Sequence, residues 1–287
     1  NALKWAAGIM PSNSVFVPHR PPGYSPRVPV QFTILGSGSG GNCAYLEVGE
    51  TRILIDAGFS ARQIRERLAS IGRAPEGLTG ILVTHEHTDH IAGLQPIAKK
   101  LDIPIYLSRL TMPAIPWADG FMPKLEPFAA GASFPIGDID VTSFTIPHDA
   151  IDPVGYSFKA EGLKFSIATD LGYMPDSVRF HLRESDVLLL ESNHDLEMLR
   201  TGPYPWHLKQ RVMGRTGHLS NAALCEFLCS EEYDGEAQTV ILAHLSEQNN
   251  HPQIAQMEAA SALETRCTPG FRLVVSSQHQ PTELFQF

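Results

Sequence analysis

The chain is poor in cysteine. Cys43, Cys225, Cys229 and Cys267 are the only four among 287 residues, and none forms a C-x-x-C pair. That density excludes a disulfide scaffold. Cys225 and Cys229 stand four apart on a predicted helix and share a face. All four are read as small, buried, reduced side chains, which suits a cytoplasmic protein. No apolar run approaches the roughly 18 residues a membrane span needs. The apolar patch Leu3–Met10 is ended by Pro11 and lacks a basic flank and a cleavage-like site, so neither a signal peptide nor a membrane partner is expected. Positive net charge is also missing, since the formal value is −9. This excludes a basic coat protein for nucleic acid. It leaves room for a nucleic-acid enzyme, because bound cations and a local basic strip reverse the field at one site.

Hydrophobic residues at 43% and charged residues at 18% fit a globular protein with a real core. The length favours one large domain. Residues 1–29 hold Pro11, Pro18, Pro21, Pro22, Pro26 and Pro29 and read as an extended arm. Residues 30–287 read as the folded domain. Strands are expected at Val30–Leu35, Cys43–Val48, Arg52–Asp56, Ile81–Thr84, Ile103–Leu107, Ile139–Ile146, Gly155–Lys159, Leu163–Ala168, Val187–Leu190, Thr239–Ala243 and Phe271–Val275. Helices are expected at Ser60–Ile71, with Ser60 as cap, and at Ala92–Leu101, Ser220–Ser230 and Pro252–Leu263. Such a mixture is well buried as two sheets with helices outside. The glycine-rich turn Gly36–Asn42 lacks the Lys-Ser/Thr of a P-loop and lets the backbone approach the site.

One stretch carries the chemistry. After the apolar run Gly80–Val83 comes Thr84-His85-Glu86-His87-Thr88-Asp89-His90. His85 and His87 alternate by two and point to one side of an extended chain. A turn then carries Asp89 and His90 to a neighbouring position, so two ligand groups are presented. Imidazole and carboxylate suit Zn²⁺, Mn²⁺ or Fe²⁺. Without a cation, so many polar groups beside a buried strand would be costly to desolvate.

This H-x-H-x-D-H after a strand resembles the signature of the metallo-β-lactamase fold superfamily. The resemblance implies an α/β fold, an αβ/βα four-layer sandwich, with two divalent metal ions, zinc or manganese. It also implies three further ligands, matched by His148 in SFTIPHDA, Asp170 in FSIATDLG and His244 in VILAHLS. By that analogy His85, His87 and His148 hold one metal, Asp89, His90 and His244 the other, and Asp170 bridges them. Two such cations bring a bound water's pKa toward neutrality and yield a bridging hydroxide. The fold alone does not name the electrophile.

Three features favour a phosphodiester. His218 precedes a helix in GHLSNAA and resembles the histidine that assists the leaving oxygen in transfer-RNA-processing nucleases of the superfamily. Glu191 in LESNHD resembles the acidic segment that orients it, with His194 beside it. From Met198 to Cys225 there is no acidic residue in a chain with 31 of them. Arg200, Lys209, Arg211 and Arg215 lie in that window, with Tyr204 and Trp206 interleaved, as phosphate tracking and base stacking require. Residues 191–224, with LGSGSGGN, VTHEHTDHIAGL and LAHLSEQNN, resemble the YycJ/WalJ-type bacterial metallohydrolases. That implies a 5′ DNA exonuclease with a part in mismatch repair, and DNA rather than RNA as partner. Asp89 is then the proton acceptor and His218 the proton donor. Only 73 residues separate Asp170 from His244, too few for a β-CASP insertion. A strand groove must come from surface loops, with Met112–Phe134 as one wall, or from a second copy in a homo-oligomer. His19, His181 and His279 are read as ordinary residues. The competing readings are a glyoxalase II-like thioesterase or lactonase, a phosphodiesterase for small cyclic phosphates or dinucleotides, and a non-catalytic metal-binding module.

Overall fold

Strands begin where the prolines end. The computed structural model describes residues 28–266 and 270–287. Residues 1–27 of the expected arm, His19 among them, lie outside the described residues, as does Cys267. The first sheet holds β1 (Val30–Gly36), β2 (Cys43–Val48), β3 (Thr51–Ile55), β4 (Gly80–Leu82), β5 (Ile105–Ser108) and β6 (Leu125–Phe128). The second holds β7 (Ser133–Ile136), β8 (Ile139–Thr145), β9 (Val154–Ala160), β10 (Leu163–Ala168), β11 (Val187–Glu191), β12 (Thr239–Ala243) and β13 (Arg272–Val275). The last strand, β14 (Phe285–Gln286), returns to pair with β1. The helices are α1 (Ala61–Ser70), α2 (Thr88–Ile91), α3 (Leu94–Leu101), α4 (Asp176–Leu182), α5 (Leu196–Thr201), α6 (Trp206–Val212), α7 (Asn221–Cys229) and α8 (Pro252–Glu264).

Side-chain alternation builds the layers. On β11, Val187 and Leu189 join the cluster between the sheets, where Phe32, Leu46, Ile53, Tyr156, Phe158 and Phe165 also meet. Leu188 and Leu190 face the other way, onto α4, α7 and α8. On the first sheet Leu35, Tyr45 and Leu54 pack outward against Ile64 and Leu68 of α1 and Leu94 and Ile97 of α3. Strands covered on both faces read as continuous apolar runs, which is why they were visible in the sequence. The result is the expected αβ/βα sandwich.

Local rules hold where they were applied. Gly49 and Glu50 form the β2–β3 turn, and Gly49 has φ 56°. Ser60 caps α1 in a capping box with Gln63. Differences arise where tertiary contacts intervene. The helix expected over Ala92–Leu101 is α3, which starts at Leu94, and the separate turn α2 precedes it, because the Gly93 N–H bonds Ala57 O at 2.7 Å instead of continuing α2. Met112–Phe134, expected as a groove wall, supplies β6 and the start of β7, the edge strands of the two sheets. The thiols differ too. Cys43 is buried, Cys225 is half-buried, and Cys229 is exposed in the open groove between α7 and α8 beside Met257.

The functional consequence lies in strand direction. β3, β4 and β5 run parallel, and so do β10, β11 and β12. Their C-terminal ends open on one edge of the sandwich, where α/β sheets place their ligands. Tyr156 Oη donates to Val83 O at 2.6 Å and joins the two sheets there.

Candidate metal centre

Each expected ligand leaves a strand end. His85 and His87 follow β4, and Asp89 and His90 sit in the first turn of α2. His148 follows β8, Asp170 follows β10 and His244 follows β12. Asp170 and His244 hold φ values of 61° and 55°, in the left-handed region where such residues are uncommon. Strain of this kind persists only where the surroundings enforce it.

The hydrogen bonds fix which nitrogens face the cleft. The Thr84 hydroxyl donates to Asp56 Oδ2 at 2.9 Å, so its single proton is used. His85 Nδ1 lies 2.9 Å from that hydroxyl oxygen and must be the donor, which leaves Nε2 with a lone pair. His90 Nδ1 donates to Asp56 Oδ2 at 2.8 Å. His148 Nδ1 donates to Gly217 O at 3.3 Å. His244 Nδ1 lies 3.3 Å from Glu191 Oε1. In each ring Nε2 is free to ligate, the arrangement in which outer carboxylates and carbonyls orient metal-binding histidines. His87 turns Nδ1 to the cleft instead, 3.2 Å from His148 Nε2.

The converging atoms form linked groups. Ligand atoms of His85, His87 and His148 lie within 4.8 Å of one another, as do those of Asp89, His90 and His244. Asp170 joins His85 and His90 on one side and His244, His218 and Glu191 on the other. His85 Nε2, Asp170 Oδ2 and His244 Nε2 are buried without a hydrogen-bond partner. Buried polar atoms in native proteins are almost always paired.

Charge points the same way. Burial alone would raise the Asp170 carboxyl, but His244 and His90 hold it well below the usual carboxylate range. Asp89 is depressed likewise by His244 and His90 against the effect of burial. Burial opposes a proton on His90, yet Asp170 and Asp56 raise its pKa well above the ordinary value. His244 is raised to about 10 by Asp170, Asp89 and Glu191, again against burial. His85 and His148 are pulled down by burial. The side chains thus gather positive charge around buried carboxylates, and divalent cations displace such protons readily. The donor set and the orphaned atoms fit divalent metal ions.

His218 stands beside this cluster. Its Nδ1 lies 2.8 Å from Glu191 Oε1, and its ring stacks on His244 with centroids 5.0 Å apart. Its side chain is 18% exposed. Glu191 is fully buried and its second oxygen accepts from Leu171 N at 2.8 Å. Burial would raise this carboxyl, but His218 holds it below its usual value.

The expected substrate-binding residues divide. Glu191 serves His218 and His244 and cannot reach a strand. His194 is buried, bridged to Ser220, and burial lowers its pKa to about 4. Lys209 is buried because its ammonium donates to the carbonyls of Arg200 and Gly202. Arg200, Arg211 and Arg215 stay exposed, the last stacked on Tyr173 at 4.2 Å. His251 caps α8 and stands apart from the cluster, His181 stacks on Phe144, and His279 pairs with Glu247. Asp56 and Asn42 were not foreseen. Asn42 Nδ2 approaches His90 Nε2 at 3.1 Å and Asp89 Oδ2 at 3.3 Å. Asp56 did carry a signal, since it is an acidic residue at the end of an apolar strand.

Comparison with known proteins identifies the family. The profile of the beta-lactamase superfamily domain matches residues 51–245. Exodeoxyribonuclease WalJ of Streptococcus pneumoniae serotype 2 is 38% identical over 238 residues, covering 81% of this chain and 88% of that protein. Exodeoxyribonuclease YycJ of Bacillus anthracis is 37% identical over 241 residues, covering 83% and 90%. Among solved structures, the metallo-beta-lactamase fold protein YhfI of Bacillus subtilis superposes with TM-score 0.67 at 16% identity, over 88% of this chain and 99% of that one. Human tRNase Z, short form, gives 0.60 at 17%, over 88% and 98%. The chain belongs to the β-lactamase superfamily of metal-dependent hydrolases, in the group of the WalJ and YycJ exodeoxyribonucleases.

Proposed function

We propose that the protein is a metal-dependent nuclease that removes nucleotides from the 5′ ends of DNA. Its likeness to two named exodeoxyribonucleases over more than four fifths of the chain supports the substrate class. The observation that carries the reading is His218, partly exposed beside the metal cluster with Nδ1 held at 2.8 Å by a fully buried carboxylate. A phosphodiesterase uses that pair, because its leaving oxygen must take up a proton, whereas the thiolate of a thioester departs without one.

His85, His87 and His148 would hold one cation, and Asp89, His90 and His244 a second, with Asp170 between them. When bound, two such ions activate water and neutralise charge on phosphoryl oxygens. The protein side follows from its hydrogen bonds. Glu191 accepts from His218 Nδ1–H and stabilises the ring while it carries a second proton on Nε2. That Nε2–H is the donor for the departing oxygen. Asp89, whose carboxylate is 25% exposed, receives the proton of the attacking water. Manganese and zinc both suit the donor set. Free thiols among the described residues support a cytoplasmic location, and the likeness to exodeoxyribonucleases supports a part in DNA repair.

The test uses 5′- and 3′-labelled single- and double-stranded DNA and RNA, with Mn²⁺ or Zn²⁺ restored to metal-stripped protein. Mononucleotides released from the 5′ end of DNA are expected. Cleavage of thioesters or lactones with DNA left intact would refute the reading.

A further inference from the structure

Arg211 finds its countercharge on a different element. The window around it contains no carboxylate, yet its Nε lies 2.6 Å from Asp149 Oδ2. Asp149 directly follows His148. Its other oxygen is 3.5 Å from His148 Nε2 and 4.0 Å from His87 Nε2. The pair therefore stands on the rim of the cluster formed by His85, His87 and His148. The two side chains are 56% and 31% exposed. Ion pairs this open to water are weakly held.

The backbone beneath Arg211 is fixed. His218 N donates to Val212 O at 2.9 Å and closes a short loop. A Cβ on Gly217 would fall 2.2 Å from the carbonyls of Arg211 and Val212, so the loop closes this tightly only with glycine there. Gly217 O in turn accepts from His148 Nδ1. Arg211 and His218 are the two ends of one small loop fastened to a metal-site histidine. At one end a guanidinium projects to solvent, paired with the Asp149 carboxylate.

We propose that Arg211 receives a backbone phosphate of the DNA strand beside the bond being cut, and that Asp149 occupies it until the strand arrives. This rests on the nuclease reading. A guanidinium offers a planar fork that suits phosphate oxygens as well as a carboxylate. Exchanging one anion for the other keeps Arg211 neutralised before and after binding. Asp149 is thus a positioning residue and a built-in competitor. It lowers strand affinity and eases release.

The probe is a fluorescent single-stranded DNA oligonucleotide with phosphorothioate linkages, titrated by anisotropy into the metal-loaded protein over a range of salt. Arg211→Ala weakens binding about tenfold, as loss of one charge-assisted contact should. It also flattens the plot of log affinity against log salt by about 0.7, the value for one phosphate on a single strand. Asp149→Asn acts in the opposite sense and tightens binding by about two- to fivefold, the strength of an exposed ion pair. In the Arg211→Ala background the Asp149 change does nothing. The proposal is overturned if Asp149→Asn weakens binding, or tightens it equally without Arg211, or if Arg211→Ala leaves the salt slope unchanged. A wild-type protein that degrades DNA alongside any of those results keeps the nuclease reading and loses only this one. A wild-type protein that neither binds nor degrades DNA loses both.

Discussion

The Asp56 carboxylate lies 2.8 Å from His90 Nδ1 and also accepts from the Thr84 backbone N–H and hydroxyl. Through that hydroxyl it sets the tautomer of His85 as well. One buried acid at the end of β3 therefore aims an imidazole of each proposed metal position. Replacing Asp56 with Asn keeps the size and tolerates the left-handed backbone, with φ 60°, but offers one acceptor oxygen where the carboxylate has two. Metal affinity should fall about 10–100-fold, as for other outer-shell carboxylates. Calorimetric titration of the stripped protein with Mn²⁺ or Zn²⁺ measures this, and unchanged affinity would remove Asp56 from the centre.

His218→Ala separates chemistry from metal binding. The turnover number on DNA should drop about 10²–10⁴-fold, the usual contribution of a positioned acid. Metal content should stay at the wild-type level, because the expected ligands are untouched. Glu191→Gln should behave differently. Glu191 Oε1 approaches both His218 Nδ1 and His244 Nδ1, so turnover and metal affinity should decline together. Equal metal retention in the two variants would mean that Glu191 serves His218 alone.

Much of this architecture was legible in the sequence, for identifiable reasons. His85, His87, Asp89 and His90 are local in sequence, and strands such as β11 and β12 are apolar on both faces. His148, Asp170 and His244 are single residues at strand ends, and resemblance rather than spacing picked them out. Asp56 escaped notice because its partners lie 28 and 34 residues away. Lys209 reads as part of an open basic strip, and only its carbonyl acceptors at Arg200 and Gly202 show that it is buried. Strands β6 and β7 were missed because each contains proline and lies on a sheet edge, where proline is tolerated and alternation is weak.

Chelation should destabilise the fold as well as stop turnover. Three buried polar atoms in the cluster lack partners, and a cation that binds only the folded state would satisfy them. At free metal about 100-fold above its dissociation constant, the gain is roughly 2.7 kcal/mol. For a chain of this size that is about 5 °C in Tm. Thermal unfolding with EDTA, and then with Mn²⁺ or Zn²⁺ restored, reads the shift directly. A melting temperature indifferent to metal would contradict the reading of the orphaned atoms.

His194 should make stability depend on pH. Burial lowers its pKa from 6.5 to about 4 in the folded state. As pH falls below 6.5 the unfolded chain takes up a proton that the folded chain refuses until about 4. The stabilisation is complete above the unfolded value and is lost progressively as pH falls toward 4, amounting to roughly 3 kcal/mol. Protonation of metal ligands acts in the same window, so the comparison is with His194→Gln. The variant is expected to be less stable at pH 7 but to lose less on acidification. Parallel denaturation midpoints between pH 7 and 4.5 would show that His194 is not held neutral.

Gly58 tests how tightly the metal loop is seated. A Cβ there would lie 1.7 Å from the carbonyl oxygen of Asp89 and 2.6 Å from Asn42 N, both backbone atoms. Neither can swing aside as a side-chain tip would. The Asn42 N–H donates to that same Asp89 carbonyl at 2.8 Å, and Gly58 N donates to Asn42 O at 2.9 Å. Three strand-end segments are thus laced together at one point, and a methyl group must push the start of α2 away. Asp89 and His90 would move with it, while His85 and His148, anchored through Thr84 and Gly217, would stay. Gly58→Ala should therefore weaken the position built on Asp89, His90 and His244 more than the one built on His85, His87 and His148. Stoichiometry by metal analysis should fall from two ions toward one, with DNA cleavage lost in step. Retention of both ions at wild-type affinity would show that the loop is free to shift without cost.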